Sequence, residues 1–261
     1  MSTVNDVIAM IERMVGHSLH RDEGLHHGRP DAEVERIMVC WMASPQALEV
    51  AAAQGAQLVI AHESLYYPYD AVVRSDNPSN WQEWPTNAQR RAALERHGLS
   101  LLRVHGSADE LCIYDAFARQ LGLCDAVAGN GMARIFAIAP CTVGQLAERV
   151  KAVTGLEAVR VVAPHGLDQR VCRVGLPWGG MALFVNVGYL QSLVALGCDV
   201  LIAGESDNYG ARFAAELGIG MIETSHEVSE NEGLREFARR LADELSLPVS
   251  CYPNPPIWRI V

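Results

Sequence analysis

Residues 51–64 read AAAQGAQLVIAHES, and residues 193–206 read LVALGCDVLIAGES. Aligned without a gap, they share Ala53/Ala195, Gly55/Gly197, Ile60/Ile202, Ala61/Ala203, Glu63/Glu205 and Ser64/Ser206. Each stretch reads as the end of a helix, a glycine turn, a short buried strand and a polar strand exit. Packing alone can make helix–turn–strand units converge on similar strings. It does not call for the shared Glu-Ser after the strand, which points to two similar α/β halves from a duplication. The halves differ where the strand ends: His62 in the first, Gly204 in the second.

Outward from these stretches, apolar runs alternate with helix-period segments. Arg36–Met42, Gln57–Ala61 and Leu99–Val104 read as strands, separated by helices from Ser44 to Ala53 and from Thr86 to His97. A helix is expected over Asp109–Leu121 and hairpin material over Ala126–Ala139, around the Gly129-Asn130-Gly131 turn. The second half repeats the rhythm. It has a helix over Thr142–Thr154, strands at Ala158–Ala163, Val171–Leu176, Asp199–Ala203 and Ile219–Thr224, and helices over Tyr189–Leu196, Tyr209–Leu217 and Ser229–Leu245. The tail PNPPIWRIV is too rich in proline for a central strand until its final residues. Strands separated by crossover helices predict a three-layer α/β/α fold in two similar halves with mostly parallel sheets. The halves are expected at 1–125 and 126–261, with the C-terminal segment a candidate to pack back on the first.

Composition narrows the function. The chain has 261 residues, 49% of them hydrophobic and 20% charged, which suits a packed core and excludes disorder. A net charge of −10 and a single lysine, Lys151, argue against a nucleic-acid surface. No window is apolar enough for a membrane span, and MSTVNDVIAMIERMV lacks the layout of a signal peptide. The seven cysteines are scattered and form no CxxC, as expected of reduced thiols in a cytoplasmic protein.

Ligands of open α/β sheets sit outside the carboxyl ends of the strands. Three such exits carry metal-type side chains: His62 with Glu63, His105 with Asp109, and His226 with Glu230. A His-x-x-x-acid pair at the opening of a helix can aim imidazole and carboxylate at one point, although most such pairs are surface or capping pairs. Imidazoles and carboxylates without thiolate suit Zn, Mn or Fe. Six candidates exceed one tetrahedral site and suggest two ions. The other histidines, His17, His20, His26, His27, His97 and His165, read as exposed or local. Trp178-Gly179-Gly180 could set backbone amides near an anion or be a plain loop. The aromatics Tyr66, Tyr67, Tyr69, Trp81 and Trp84 could wall a pocket or form a subunit contact. No phosphate-binding loop, dinucleotide fingerprint or nucleophile elbow is present.

Four stretches resemble the NIF-three-like dinuclear metal-centre family, whose bacterial members are called GTP cyclohydrolase 1 type 2 homologs. Asp22-Glu23-Gly24-Leu25 with Gly28 is similar to its N-terminal Asp-Asn-x-Gly-Leu-x-x-Gly segment. LVIAHESLYY (58–67) is similar to its His-His-Pro strand end, and HGSAD (105–109) to its His-Thr-x-x-Asp segment. AGES (203–206) with SHEVSENEGL (225–234) resembles its Thr-Gly-Glu and Gly-His-x-x-Ser-Glu signatures. Departures are Glu63 for the second histidine, Ser64 for the following proline, Gly106 for threonine, Ser225 for glycine and Trp41 for an aspartate found in many members. The length matches the family's short form, without an inserted middle domain.

The resemblance implies that His62, Glu63, His105, Asp109, His226 and Glu230 hold two divalent ions per chain, Fe, Mn or Zn, in a homohexamer. It implies a dinuclear-metal hydrolase that opens a small nitrogen heterocycle or cyclic amide. Glu63 is either a ligand or the catalytic base there, or else it faces solvent. GTP itself fits poorly, because a triphosphate needs concentrated positive charge. The rival reading is a non-catalytic metal-binding, metallochaperone or regulatory protein; a scaffold whose ions only hold a ring together is a third. The expected partners are a small-molecule substrate and further copies of the chain, with no nucleic acid and no membrane.

Overall fold

A computed structural model describes residues 2–258. It is an α/β protein in two compact units, residues 2–113 with 233–254 and residues 114–232 with 255–258. The final residues 259–261, read above as extended, lie outside the described residues.

The first unit contains a five-stranded sheet in the order Val249–Tyr252, Ile37–Cys40, Leu58–Ala61, Ser100–Arg103, Gly24–His27. The first four strands are parallel, and Gly24–His27 runs antiparallel at the edge. Every residue of Ile37–Cys40, Leu58–Ala61 and Ser100–Arg103 is buried. Full burial means that both faces are covered, which is why these strands read as unbroken apolar runs rather than as alternation. Helix Pro45–Ala53 makes the crossover between the first two of these three strands. Ser44 caps it by accepting a 3.1 Å hydrogen bond from the Ala47 amide, and Gly55 turns the chain beyond it at φ +72°.

The second unit contains a six-stranded sheet in the order Ala126–Asn130, Ala133–Thr142, Arg170–Gly175, Val200–Ala203, Gly220–Glu223, Arg160–Val162. Neighbouring strands pair in parallel only at Arg170–Gly175 with Val200–Ala203 and at Val200–Ala203 with Gly220–Glu223; the other pairings are antiparallel, so this sheet is mixed. The cause is local: the tight Gly131 turn returns Ala133–Thr142 beside Ala126–Asn130, and a hairpin needs no crossover helix.

The two units repeat one topology. Ile37–Cys40, Leu58–Ala61, Ser100–Arg103 and antiparallel Gly24–His27 match Arg170–Gly175, Val200–Ala203, Gly220–Glu223 and antiparallel Arg160–Val162 in order and direction. The echo segments occupy equivalent places, each after a nine-residue helix, Pro45–Ala53 or Val187–Ala195. Each unit also has a twelve-residue helix opened by a threonine capping box, Thr3 with Asp6 before Val4–Val15 and Thr142 with Gln145 before Val143–Thr154.

Three local differences from the sequence reading stand out. Helix Val4–Val15 lies in a stretch read only against a signal peptide. The helix expected from Asp109 opens instead with a short turn, Gly106–Ala108, and a π-type turn, Asp109–Ile113, before Tyr114–Gln120. The last helix starts at His226, three residues before the expected Ser229. Among the described residues no helix is long and apolar enough to cross a membrane.

Candidate metal centre

In the first unit, His62 and Glu63 follow Ala61 at the exit of a central strand, and both are buried. The His62 amide donates to the Cys40 carbonyl and the Glu63 amide to the Trp41 carbonyl, at 3.1 and 2.8 Å, so the exit is held to the end of the adjacent strand Ile37–Cys40. His62 Nδ1 lies 3.2 Å from the Val104 carbonyl oxygen. An acceptor there sets the hydrogen on Nδ1 and leaves the Nε2 lone pair for another partner. Nε2 stands 4.0 Å from Asp109 Oδ1. His105 follows the next strand, with its ring centroid 4.7 Å from that of His62. His62, Glu63 and His105 each offer one donor atom, and these three atoms lie within 4.8 Å of one another.

A buried polar frame holds His105. Its Nδ1 is 3.2 Å from Asp22 Oδ2, and Arg103 NH1 is 2.9 Å from the same oxygen. The hydrogen bond from His105 and the charge of Arg103 hold the Asp22 carboxyl down to about 2. Glu23 pins the turn: it accepts from the His105 amide at 2.6 Å, the Ser107 amide at 2.9 Å and the Ser107 hydroxyl at 2.6 Å. Arg103 is wholly buried, pairs with Asp70 as well as Asp22, and donates to the Tyr69 hydroxyl at 2.8 Å. Burial pushes the Tyr69 phenol up to about 12, so it stays protonated, 3.5 Å from His105 Nδ1. The π-type turn widens the helix at Asp109 and lets this buried carboxylate face His62.

In the second unit, His226 opens the last helix and Glu230 follows one turn on. His226 Nδ1 is 2.9 Å from Glu205 Oε2 and Nε2 is 3.3 Å from Glu230 Oε1. Glu230 is 2% exposed. The glycine pair after Trp178 forms the floor of this cluster. Gly179 has φ +51°, and a Cβ there would collide with Glu230 Oε1; one at Gly180 would lie 3.2 Å from the His226 ring. The Gly179 amide donates to Ser229 Oγ at 2.9 Å, so this amide serves the helix rather than an anion. The same segment explains Gly204. A Cβ on Gly204 would overlap the Gly179 backbone, so the place that holds His62 in the first unit is filled here by main chain.

The structure thus brings His62, Glu63, His105 and Asp109 together in one unit, and His226 with Glu230 in the other. Spacing did not reveal the supports Asp22, Glu23, Arg103 and Glu205. Arg103 left a signal, a charge ending the apolar run LSLLR. The aromatic stretch divides: Tyr66 is buried against Trp81 at 5.3 Å, while Tyr69 borders His105. His26, read as exposed or local, is half-buried, and burial with the nearby Arg103 charge pushes it down to about 4. Beside Asp22 opens a pocket of about 510 Å³ whose walls include Arg21, Asp22, Asp70, Arg74 and Asp76. Arg74 is already paired with Asp76 at 2.5 Å.

A sequence model described as Duf34/NIF3 (NGG1p interacting factor 3) matches residues 2–255. The GTP cyclohydrolase 1 type 2 homolog of Deinococcus radiodurans is 26% identical over 226 residues, which is 83% of this chain and 79% of that protein. The GTP cyclohydrolase 1 type 2 of Helicobacter pylori is 24% identical over 248 residues, 94% of this chain and 92% of that one. The crystal structure of a Bacillus cereus protein related to NIF3 superposes with a TM-score of 0.79 at 15% identity, covering 100% of this chain and 99% of the other. That likeness is one of fold.

Proposed function

Since the chain belongs to the Duf34/NIF3 family, we propose that it is a metal-dependent hydrolase acting on a small nitrogen heterocycle or cyclic amide. His62, His105, Asp109, His226 and Glu230, with Glu63 as a further ligand or as the base, hold two divalent ions, Fe, Mn or Zn. The observation that carries the reading is the convergence of His62, Glu63 and His105, with donor atoms within 4.8 Å of one another at two adjacent strand exits. The donors suit such ions: imidazole nitrogen and carboxylate oxygen, with no thiolate among them. Both imidazoles are oriented as metal-bound histidines are, His62 Nδ1 on a carbonyl and His105 Nδ1 on a carboxylate.

Bound ions supply Lewis acidity and a water of lowered pKa. The chain's own groups do the rest. Asp22, kept ionised by Arg103, fixes the His105 ring and its tautomer. Tyr69 accepts from Arg103, so its own hydroxyl hydrogen can be donated to a substrate oxygen. Glu63 holds the proton taken from water if it is a base, or fixes an ion if it is a ligand. The pocket beside Asp22 admits the substrate. Its walls carry more aspartate than arginine, and Arg74 is already neutralised, which disfavours a triphosphate and suits an uncharged ring. The names of the relatives point to ring-opening hydrolysis of a nitrogen heterocycle. The protein works in the cytoplasm as a homohexamer.

One observation favours the rival. Of the five aromatics between 66 and 84, Tyr66 and Trp81 pack with each other rather than walling a substrate site, as a metallochaperone would allow. Turnover separates the readings. The metal-stripped protein, reloaded with Mn, Fe(II) or Zn, is assayed against a panel of cyclic amides and nitrogen heterocycles. Metal-dependent ring opening, abolished in His62→Ala, is expected. Full loading without turnover of any member would leave the metal-carrying role.

A further inference from the structure

We propose that His17, His20 and Glu110 form a third divalent-cation site, of the zinc type, on the surface of the first unit. His17 Nε2 lies 2.8 Å from Glu110 Oε2, and His20 Nε2 lies 3.1 Å from Glu110 Oε1. The three side chains offer donor atoms within 4.8 Å of one another. They come from separate segments, the loop after helix Val4–Val15 and the turn Asp109–Ile113, so sequence proximity does not account for the meeting of His17 and His20 with Glu110.

His17 Nδ1 is 2.8 Å from the Ser18 carbonyl oxygen. A carbonyl and a carboxylate both only accept. The ring between them must therefore carry hydrogen on both nitrogens, or a cation must stand where the Nε2 hydrogen would be. With Nδ1–H on the carbonyl, the Nε2 lone pair points toward Glu110, as in a metal-bound histidine. His20 is held in turn, its amide donating to Glu23 Oε2 at 2.7 Å. Its ring lies over Gly106, where a Cβ would be 2.9 Å from His20 Cδ2. The related motif carries threonine at that position. A side chain at 106 would press on that ring, so glycine there leaves His20 room beside Glu110.

Two imidazoles and one carboxylate make a three-ligand set that leaves the remaining positions to solvent. Nitrogen donors favour Zn and its neighbours Co and Ni over Mg or Ca, which need more oxygens. The side chains are 38%, 42% and 38% exposed for His17, His20 and Glu110, so a cation reaches them directly from solution. The site is independent of the function proposed above.

The test uses the whole protein and zinc alone. Zinc-soaked crystals should show an anomalous peak about 2.0–2.2 Å from His17 Nε2, His20 Nε2 and a Glu110 oxygen. Equilibrium dialysis against free zinc in several-fold excess over all proposed sites should find one ion fewer per chain in His17→Gln/His20→Gln than in the wild type. Gly106→Thr should weaken that ion about tenfold or more by displacing the His20 ring. In His62→Gln the peak should persist, which separates this site from the centre proposed above. No peak at the trio, or a peak in crystals with unchanged dialysis, meaning binding at crystal concentration only, would overturn the proposal.

Discussion

Glu63 and Gly204 show how single residues set the chemistry. Glu63 stands where the related motif has a second histidine, and a carboxylate there is a harder donor that favours Mn or Fe(II) over Zn. Glu63→Gln keeps the shape and removes the charge. Metal lost with activity would mark Glu63 as a ligand; metal retained with turnover lost would mark it as the base. Wild-type metal content and turnover would remove it from the site. Gly204 is fixed by packing, since any Cβ there meets the Gly179 backbone. Gly204→Ala should destabilise the protein by about 1–3 kcal/mol, read as a lowered midpoint in urea, and an unchanged midpoint would contradict the overlap. The difference between His62 and Gly204 was visible in the paired strings. Its cause was not, because it lies in a loop distant in sequence.

At the scale of elements, Asp207 begins helix Asn208–Glu216 and holds two segments at once. It accepts from the Tyr209 amide at 3.0 Å, the Gly210 amide at 2.8 Å and the Phe184 amide at 3.0 Å. Burial works against its ionisation, but the three amides outweigh that and hold its carboxyl below the usual range. A depressed folded pKa stabilises fully above the unfolded value of about 4 and is lost as pH falls through the folded one. Asp207→Ala should cost about 0.5–2 kcal/mol near neutral pH. The gap in melting temperature between wild type and variant should close below about pH 4; a gap independent of pH would place the effect elsewhere. Such caps, glycine stops and apolar runs are local, so most helices and central strands could be read from the sequence. The Thr3–Asp6 box is equally local: a threonine three residues before an aspartate marks the start of helix Val4–Val15. The π-type turn at Asp109–Ile113 has no local mark, since DELCI carries neither glycine nor proline. The edge strands Gly24–His27 and Arg160–Val162 take their direction from their partners, which no short window contains.

For the whole molecule, the repeated topology carries the argument: one α/β unit occurs twice, and each copy presents acid and imidazole at its strand exits. The six candidate ligands were legible because those exits are punctuated in sequence. The frame of Asp22, Glu23 and Arg103 was not, because it joins residues some eighty positions apart. Assembly is testable on the same scale. Phe184, Val185 and Tyr209 are 54%, 83% and 66% exposed, with the Phe184 and Tyr209 rings 4.9 Å apart. We take this patch as the surface through which the proposed hexamer would form. Light scattering should give the mass of six chains for the wild type and a smaller particle for Val185→Asp, whereas a monomeric wild type would refute the hexamer. The most direct test of the central claim is elemental analysis of the His17→Gln/His20→Gln protein, in which the surface trio cannot add to the count. After reconstitution with Mn, Fe(II) or Zn, two ions per chain are predicted, falling when His62 is also replaced by Ala. Well under one ion per chain with all three metals would contradict it.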